Sequence, residues 1–176
     1  LYQLPEVVVS SSETCALEQS QRAQVAALWE EARTALIATR IAQRDGSIRM
    51  NLTNYSRDVD LVTQRVSNEQ RRSRTTVIER PFHALPAESL SANGYWRAMP
   101  DGSRVFFAPD ADVLLSDTFV RDHCFRVTAR RQRGVTQLGL EFEPTRERRM
   151  ADIRGVLWLD GRTFELRLLE FSHTGL

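Results

Sequence analysis

The sequence contains no lysine: all 24 of its basic residues are arginine. A GC-rich genome explains so complete an absence. The planar, bidentate and weakly hydrated guanidinium is in addition the cation best suited to interfaces. Set against 23 carboxylates it leaves a net charge of +1, so bulk electrostatics favours neither nucleic acid nor an anionic membrane. Long apolar runs are missing as well. Stretches such as Val7 to Val9 and Val156 to Leu159 fall far short of the roughly 20 apolar residues that cross a bilayer. No Cys-x-x-Cys pair, no Gly-x-Ser-x-Gly elbow and no glycine-rich phosphate loop occurs, so the local signatures of a zinc knuckle, an α/β-hydrolase and a P-loop are all absent. No cofactor is implied.

Cysteine is scarce but paired. Cys15 and Cys124 are the only two. In an oxidising compartment they read as one structural disulfide; otherwise they are two unrelated buried thiols. The chain opens on Leu1 rather than Met, which reads as a processed piece of something longer and leaves room for an upstream signal or lipid anchor.

The 176 residues are enough for one domain with a real core, and the apolar fraction of 41% is that of an ordinary globular protein. Residues 1–14, with the short β-branched strand Leu4 to Val9 and the Ser10-Ser11-Ser12 break, read as a linker or exit strand from a preceding module. Residues 15–176 read as a single α+β domain. Leu17 to about Arg40 is the one long helix, because Val25, Leu28, Trp29, Ala32 and Leu36 fall on one stripe. Strand periodicity follows from Ile48 to Tyr55, then from Val59 to Val66 and from Arg74 to Glu79, with the arginine-rich block Glu69 to Arg74 read as a solvated hairpin tip. That block lacks the interleaved aromatic residues of a nucleic-acid surface.

Further on, Ala87 to Leu90 forms one helical turn ended at Asn93-Gly94. A hairpin turns at Pro100-Asp101-Gly102, and Ser116 or Asp117 caps a short helix from Thr118 to His123. Four strands close the chain: Phe125 to Ala129, Gln137 to Phe142, Ile153 to Leu159 and Phe164 to Phe171. In the last, Leu166, Leu168 and Glu170 are expected on one face. The whole predicts a mainly antiparallel, curved sheet with the long N-terminal helix packed on its concave side and short helices in the connections.

Candidate chemistry is thin. His83, His123, Cys124, Asp110 and Asp112 are the available metal ligands. However, His123 and Cys124 are adjacent and diverge on a strand, and Asp110-x-Asp112 lacks the rest of a calcium loop, so no metal site is assigned. Glu141 and Glu143 share a strand face beside Arg146, Arg148 and Arg149, a common surface pattern. Asn51-Leu52-Thr53 is a glycosylation sequon, of consequence only in a eukaryotic secretory setting. His173 reads as a surface side chain. A scattered-residue hydrolase would require a pocket with a histidine within hydrogen-bond reach of a serine or carboxylate. No catalytic residue is assigned, and the chain is read as not an enzyme. An apolar cavity is the other option: Phe106, Phe107, Phe142, Trp158 and Phe164 either line a lipid pocket or fill it, and filling is preferred.

Four stretches carry a resemblance: Ala108 to Asp117, His123-Cys124-Phe125, Leu138 to Pro144 and Asp152 to Asp160, together with Trp29 to Arg33, Ala35-Leu36 and Cys15 ahead of the helix. They resemble the C-terminal region of secreted bacterial proteins of the carboxypeptidase-regulatory-like kind abundant in Gemmatimonadota, in which the carboxypeptidase of the name is a non-catalytic accessory module. The segment Leu4 to Val9 is similar to the opening of TonB-linked plugs. The resemblance covers nearly the whole chain. It implies the Cys15–Cys124 disulfide, an address in the periplasm or on the outer face of the membrane, and a structural or adaptor role. Because that lineage includes phototrophs with extra reaction-centre subunits, it extends to an accessory subunit of a photosynthetic complex. The expected partners are other envelope or membrane-complex proteins, with the chain peripheral to the membrane and not bound to nucleic acid. The expected interface residues are arginines with Tyr2, Tyr55 and Tyr95. The alternative is a periplasmic carrier of a lipid or other apolar ligand.

Overall fold

The apolar stripe read from the sequence is the buried face of helix α1 (Gln19–Arg44): Val25, Leu28, Trp29, Ala32 and Leu36 are its buried residues. The computed structural model describes Cys15 and residues 19–45, 49–60, 62–63, 65–77 and 84–175. After α1 come strands β1 (Met50–Val59) and β2 (Val66–Thr76), helix α2 (Ala87–Asn93), and strands β3 (Trp96–Ala98) and β4 (Arg104–Phe106). Helices α3 (Ala111–Leu114) and α4 (Asp117–Asp122) then lead into β5 (His123–Gln132), β6 (Val135–Pro144), β7 (Asp152–Asp160) and β8 (Leu166–Thr174). The class is α+β. By contacts the chain divides into two compact units, one of Leu1–Thr39 with Ala84–Leu176 and the other of Arg40–His83.

In the first unit, β5 to β8 form an open antiparallel sheet in the order β5-β6-β7-β8. Alternation along β6 sends Leu138, Leu140 and Phe142 to one face, and that face meets α1, α2, α3 and α4 in a single core. Trp29 lies 5.2 Å from the Phe125 ring, and Phe119 packs edge-on against Phe142 at 5.3 Å. Each large side chain so buried contributes roughly 1.5–3 kcal/mol by leaving water, which makes this unit the stable part of the molecule.

One face assignment fails. The β7–β8 register slips between Trp158 and Leu159, so Leu166 pairs with Leu159 while Leu168 pairs with Trp158. The extra residue of a bulge reverses the alternation. Leu166, Leu169 and Phe171 therefore pack on the core, whereas Leu168 is exposed and no longer shares a face with Leu166.

The short helices are capped as their sequences dictate. The Ser116 hydroxyl accepts from the Phe119 N–H at the start of α4. The Asp110 carboxylate likewise accepts from Val113 N–H and starts α3. Gly94 ends α2 at φ +83°, and a Cβ there would stand 2.5 Å from the Ala151 carbonyl oxygen, so only glycine fits this crossing. On the outer sheet face, Trp158 lies over Gly139, where a Cβ would meet its ring at 2.7 Å. The Arg130 guanidinium covers the same ring at 3.8 Å, and Glu170 accepts from both Trp158 Nε1 and Arg130 Nη1.

The second unit is a hairpin. β1 and β2 pair from Met50↔Thr76 to Asp58↔Asn68, with a bulge before Val59↔Val66. The expected strands at 59–66 and 74–79, with a tip at 69–74, are therefore displaced. Within the described residues the turn lies between Asp60 and Arg65, and Glu69 to Arg74 runs through the middle of β2. Asp60 sets the turn: its carboxylate accepts from Val62 and Thr63 N–H, and its own N–H donates to the Arg65 carbonyl. All described residues from Thr53 to Thr75 are exposed, on both faces of the ribbon. A strand with no buried face has no apolar alternation to read, which is why the pattern misplaced it.

Candidate functional site

Beneath α2 and α4 the first unit holds a closed polar cluster. Asp152 opens β7 and its side chain is about 1% exposed. Its Oδ1 accepts from the Ile153 N–H at 2.8 Å and from His123 Nε2 at 3.1 Å, while Oδ2 is paired with Arg148 Nε. Arg148 Nη1 continues to Asp122 Oδ2 at 2.8 Å and to the Ser91 carbonyl at 3.1 Å, and the Ser91 hydroxyl donates to the same Asp122 oxygen. The other ring nitrogen of His123 faces the Phe119 carbonyl at 2.9 Å, with Phe119 stacked on the imidazole at 4.0 Å. Both nitrogens thus meet acceptors.

His123 meets the distance criterion for a histidine–carboxylate pair, yet the arrangement offers no catalytic base. A base needs a free nitrogen aimed at substrate, and neither is free. The hollow beside it, bordered by Ser91, Tyr95, Ser116, Phe119 and Arg148, has no volume that a water-sized sphere could enter. The cluster instead ties α2, α4, β5 and β7 to one another.

The electrostatics follow from this packing. Burial works to raise the Asp152 carboxyl, but the bond to and charge of His123, the Ile153 N–H and Arg148 outweigh it and hold it below the ordinary carboxylate range. Burial, and then the nearby Asp152 carboxylate, pushes the Tyr95 hydroxyl up. At the β7–β8 turn, the Arg162 and Thr163 N–H groups and then Arg167 lower Asp160 to about 2. Lowered carboxyls stabilise the fold above their unfolded value of about 3.9 and lose that contribution as pH falls through the folded values. Melting temperature is therefore expected to stay level down to about pH 4 and to fall between about pH 4 and 2. Thermal melts across that range check this, and the Asp160→Asn variant should show a shallower fall.

The residues singled out in the sequence scatter. Cys15 and Cys124 are joined in a disulfide, with Cα atoms 5.5 Å apart, which pins the chain ahead of α1 to the start of β5. Tyr2 and His83 lie outside the described residues. Tyr55 is 64% exposed on β1. Tyr95 is 3% exposed and belongs to the core, so it presents nothing to a partner; its N–H donation to Ala151 holds it inward. His173 is not a plain surface residue either: its Nε2 donates to the Phe107 carbonyl, and its ring packs against Phe106 and Phe171. Glu143 pairs with Arg126. Among the described residues no three His, Cys, Asp or Glu side chains group as metal ligands. Of the five aromatics proposed around a cavity, Phe142 is fully buried, Phe107 and Phe164 pack against the core, Trp158 lies on the outer face and Phe106 is half exposed.

The described surface of the second unit contrasts with all of this. Cross-strand pairs bind Thr53 to Ser73 and Asn51 to Thr75, and Arg57 spans from the Tyr55 ring to Glu69. The sequence reading had named Tyr55, but it had treated the arginine block beside it as a solvated tip. No family model matches the chain, and no curated protein or solved structure matches it.

Proposed function

We propose that this is a non-catalytic docking domain of the bacterial cell envelope, working at the periplasmic or outer face of a membrane and binding other envelope or membrane-complex proteins. The observation that carries the reading is the β1–β2 hairpin. A two-stranded ribbon is marginal alone in water and gains stability when something covers it. Here its described residues from Thr53 to Thr75 are uncovered on both faces. The Cys15–Cys124 disulfide is compatible with an oxidising compartment, and no described helix is long and apolar enough to cross a membrane. The packing of Phe142 and Phe164 into the core favours docking over carriage of an apolar ligand, which would need those rings as walls. The resemblance to envelope proteins of Gemmatimonadota extends the proposal to an accessory subunit of a complex such as a photosynthetic reaction centre.

Solubilising native membranes in mild detergent and separating the complexes by size tests the reading. Migration with a large assembly at fixed stoichiometry is expected. A lone monomer would overturn it.

A further inference from the structure

The net charge of +1 conceals a division. Residues 40–83 hold nine arginines against five carboxylates, a net of +4, while the remainder holds fifteen against eighteen, a net of −3. Within the exposed ribbon itself, residues 50–76, five arginines stand against three carboxylates, a net of +2. Arg71, Arg72 and Arg74 are exposed, lie on both faces of β2 and make no ion pair with any described residue.

The ribbon is also ordered along its length. At its far end Val62 is 93% exposed in the turn, and the cross-strand partners Val59 and Val66 are 44% and 49% exposed. A single exposed valine needs no explanation, but three gathered at one tip do. Arg57 and Arg65 stand within two residues of this tip. Tyr55 follows, with the Arg57 guanidinium 4.8 Å from its ring centre, and then come Arg71, Arg72 and Arg74. The tip carboxylates are engaged within it: Asp60 accepts from two N–H groups of the turn and Asp58 from the Asn68 amide.

Apolar residues at the tip, with cations and a tyrosine along the ribbon behind them, suit a bilayer interface, where tails, the amphipathic boundary and phosphates succeed one another. A nucleic-acid groove would account for the arginines but leave the valine tip without a role, and one tyrosine is no stacking platform. We propose that the β1–β2 hairpin docks tip-first on an anionic lipid bilayer, with the valines in the headgroup boundary and the arginines on lipid phosphates. The inference deepens the docking reading and names the surface the hairpin meets.

Co-sedimentation of the full chain with vesicles tests it. Binding is expected to vesicles of equal parts phosphatidylcholine and phosphatidylglycerol, not to phosphatidylcholine alone, and should weaken as salt shortens the screening length from about 10 Å at 0.1 M to about 3 Å at 1 M. The combined Arg71→Gln, Arg72→Gln, Arg74→Gln variant should bind roughly 100-fold more weakly. All three sites are exposed, so the thermal melt should not move. A Val62→Trp variant should bind more tightly and shift its fluorescence to the blue on anionic vesicles. Absence of binding, equal binding to both lipids, or retention of duplex DNA without vesicle binding would overturn the proposal. If vesicle binding fails while the native protein still migrates with a large assembly, only the lipid inference falls. If the protein is a lone monomer, the docking reading falls with it.

Discussion

Replacing both members of the Cys15–Cys124 bridge with alanine is expected to cost about 4–5 kcal/mol in the chain-entropy model of loop closure. The magnitude follows from the separation of 109 residues between the two cysteines, which is most of the chain. The bridge removes from the unfolded ensemble every conformation in which the segment before α1 strays from the start of β5. Both cysteines are buried, so the exchange also leaves a small packing defect. For a chain of this length each kcal/mol moves the midpoint by about 2–4 °C, so the melt should fall by roughly 8–20 °C. Reduction of the wild-type protein should give nearly the same shift. A melt that does not respond to reductant would mean that the core alone fixes α1 on the sheet.

The Asp152→Ala variant is expected to lose about 3–5 kcal/mol, because it leaves partner groups buried without their counter-charge. Asp152 receives His123 on one oxygen and Arg148 on the other, and Arg148 in turn holds Asp122 and the Ser91 carbonyl. Its removal strands the Arg148 guanidinium and leaves His123 Nε2 without its acceptor between α2, α4, β5 and β7. Ser91→Ala deletes only one hydroxyl at the edge of the cluster and should cost about 0.5–1.5 kcal/mol. Denaturant titration of both variants checks the ratio. A loss under about 1 kcal/mol for Asp152→Ala would mean that the cluster is not the structural tie its geometry indicates.

What the sequence revealed and what it hid divide along physical lines. The stripe Val25, Leu28, Trp29, Ala32, Leu36 was legible because a helix with one buried face must repeat its apolar residues at that spacing. Strands β5 to β8 were legible for the same reason at period two, as was the Ser116 cap from its chemistry. The place of Leu168 was hidden because a bulge costs no unusual residue yet reverses every side chain beyond it. The hairpin was misplaced because a ribbon exposed on both faces has no periodic constraint; only Asp60, the residue that closes the turn, marks the true reversal. The polar cluster was invisible for another reason. Ser91, Asp122, His123, Arg148 and Asp152 come from separate elements, and adjacency in the chain says nothing about which side chains converge. Tyr95 was read as an interface residue by type, and its burial depends on the Gly94–Ala151 crossing, which only the fold supplies.

Amide hydrogen exchange tests most directly whether the β1–β2 hairpin is the docking element, measured by mass spectrometry on the isolated protein and again on the protein in its native membranes. In isolation the amides of β1 and β2 should exchange with little protection while those of β6 and β7 exchange slowly, since only the latter are sealed in a packed sheet. In the membrane the hairpin amides alone should slow strongly. A hairpin already as protected as β6 and β7 in isolation, or one whose exchange is unchanged in the membrane, would contradict the account.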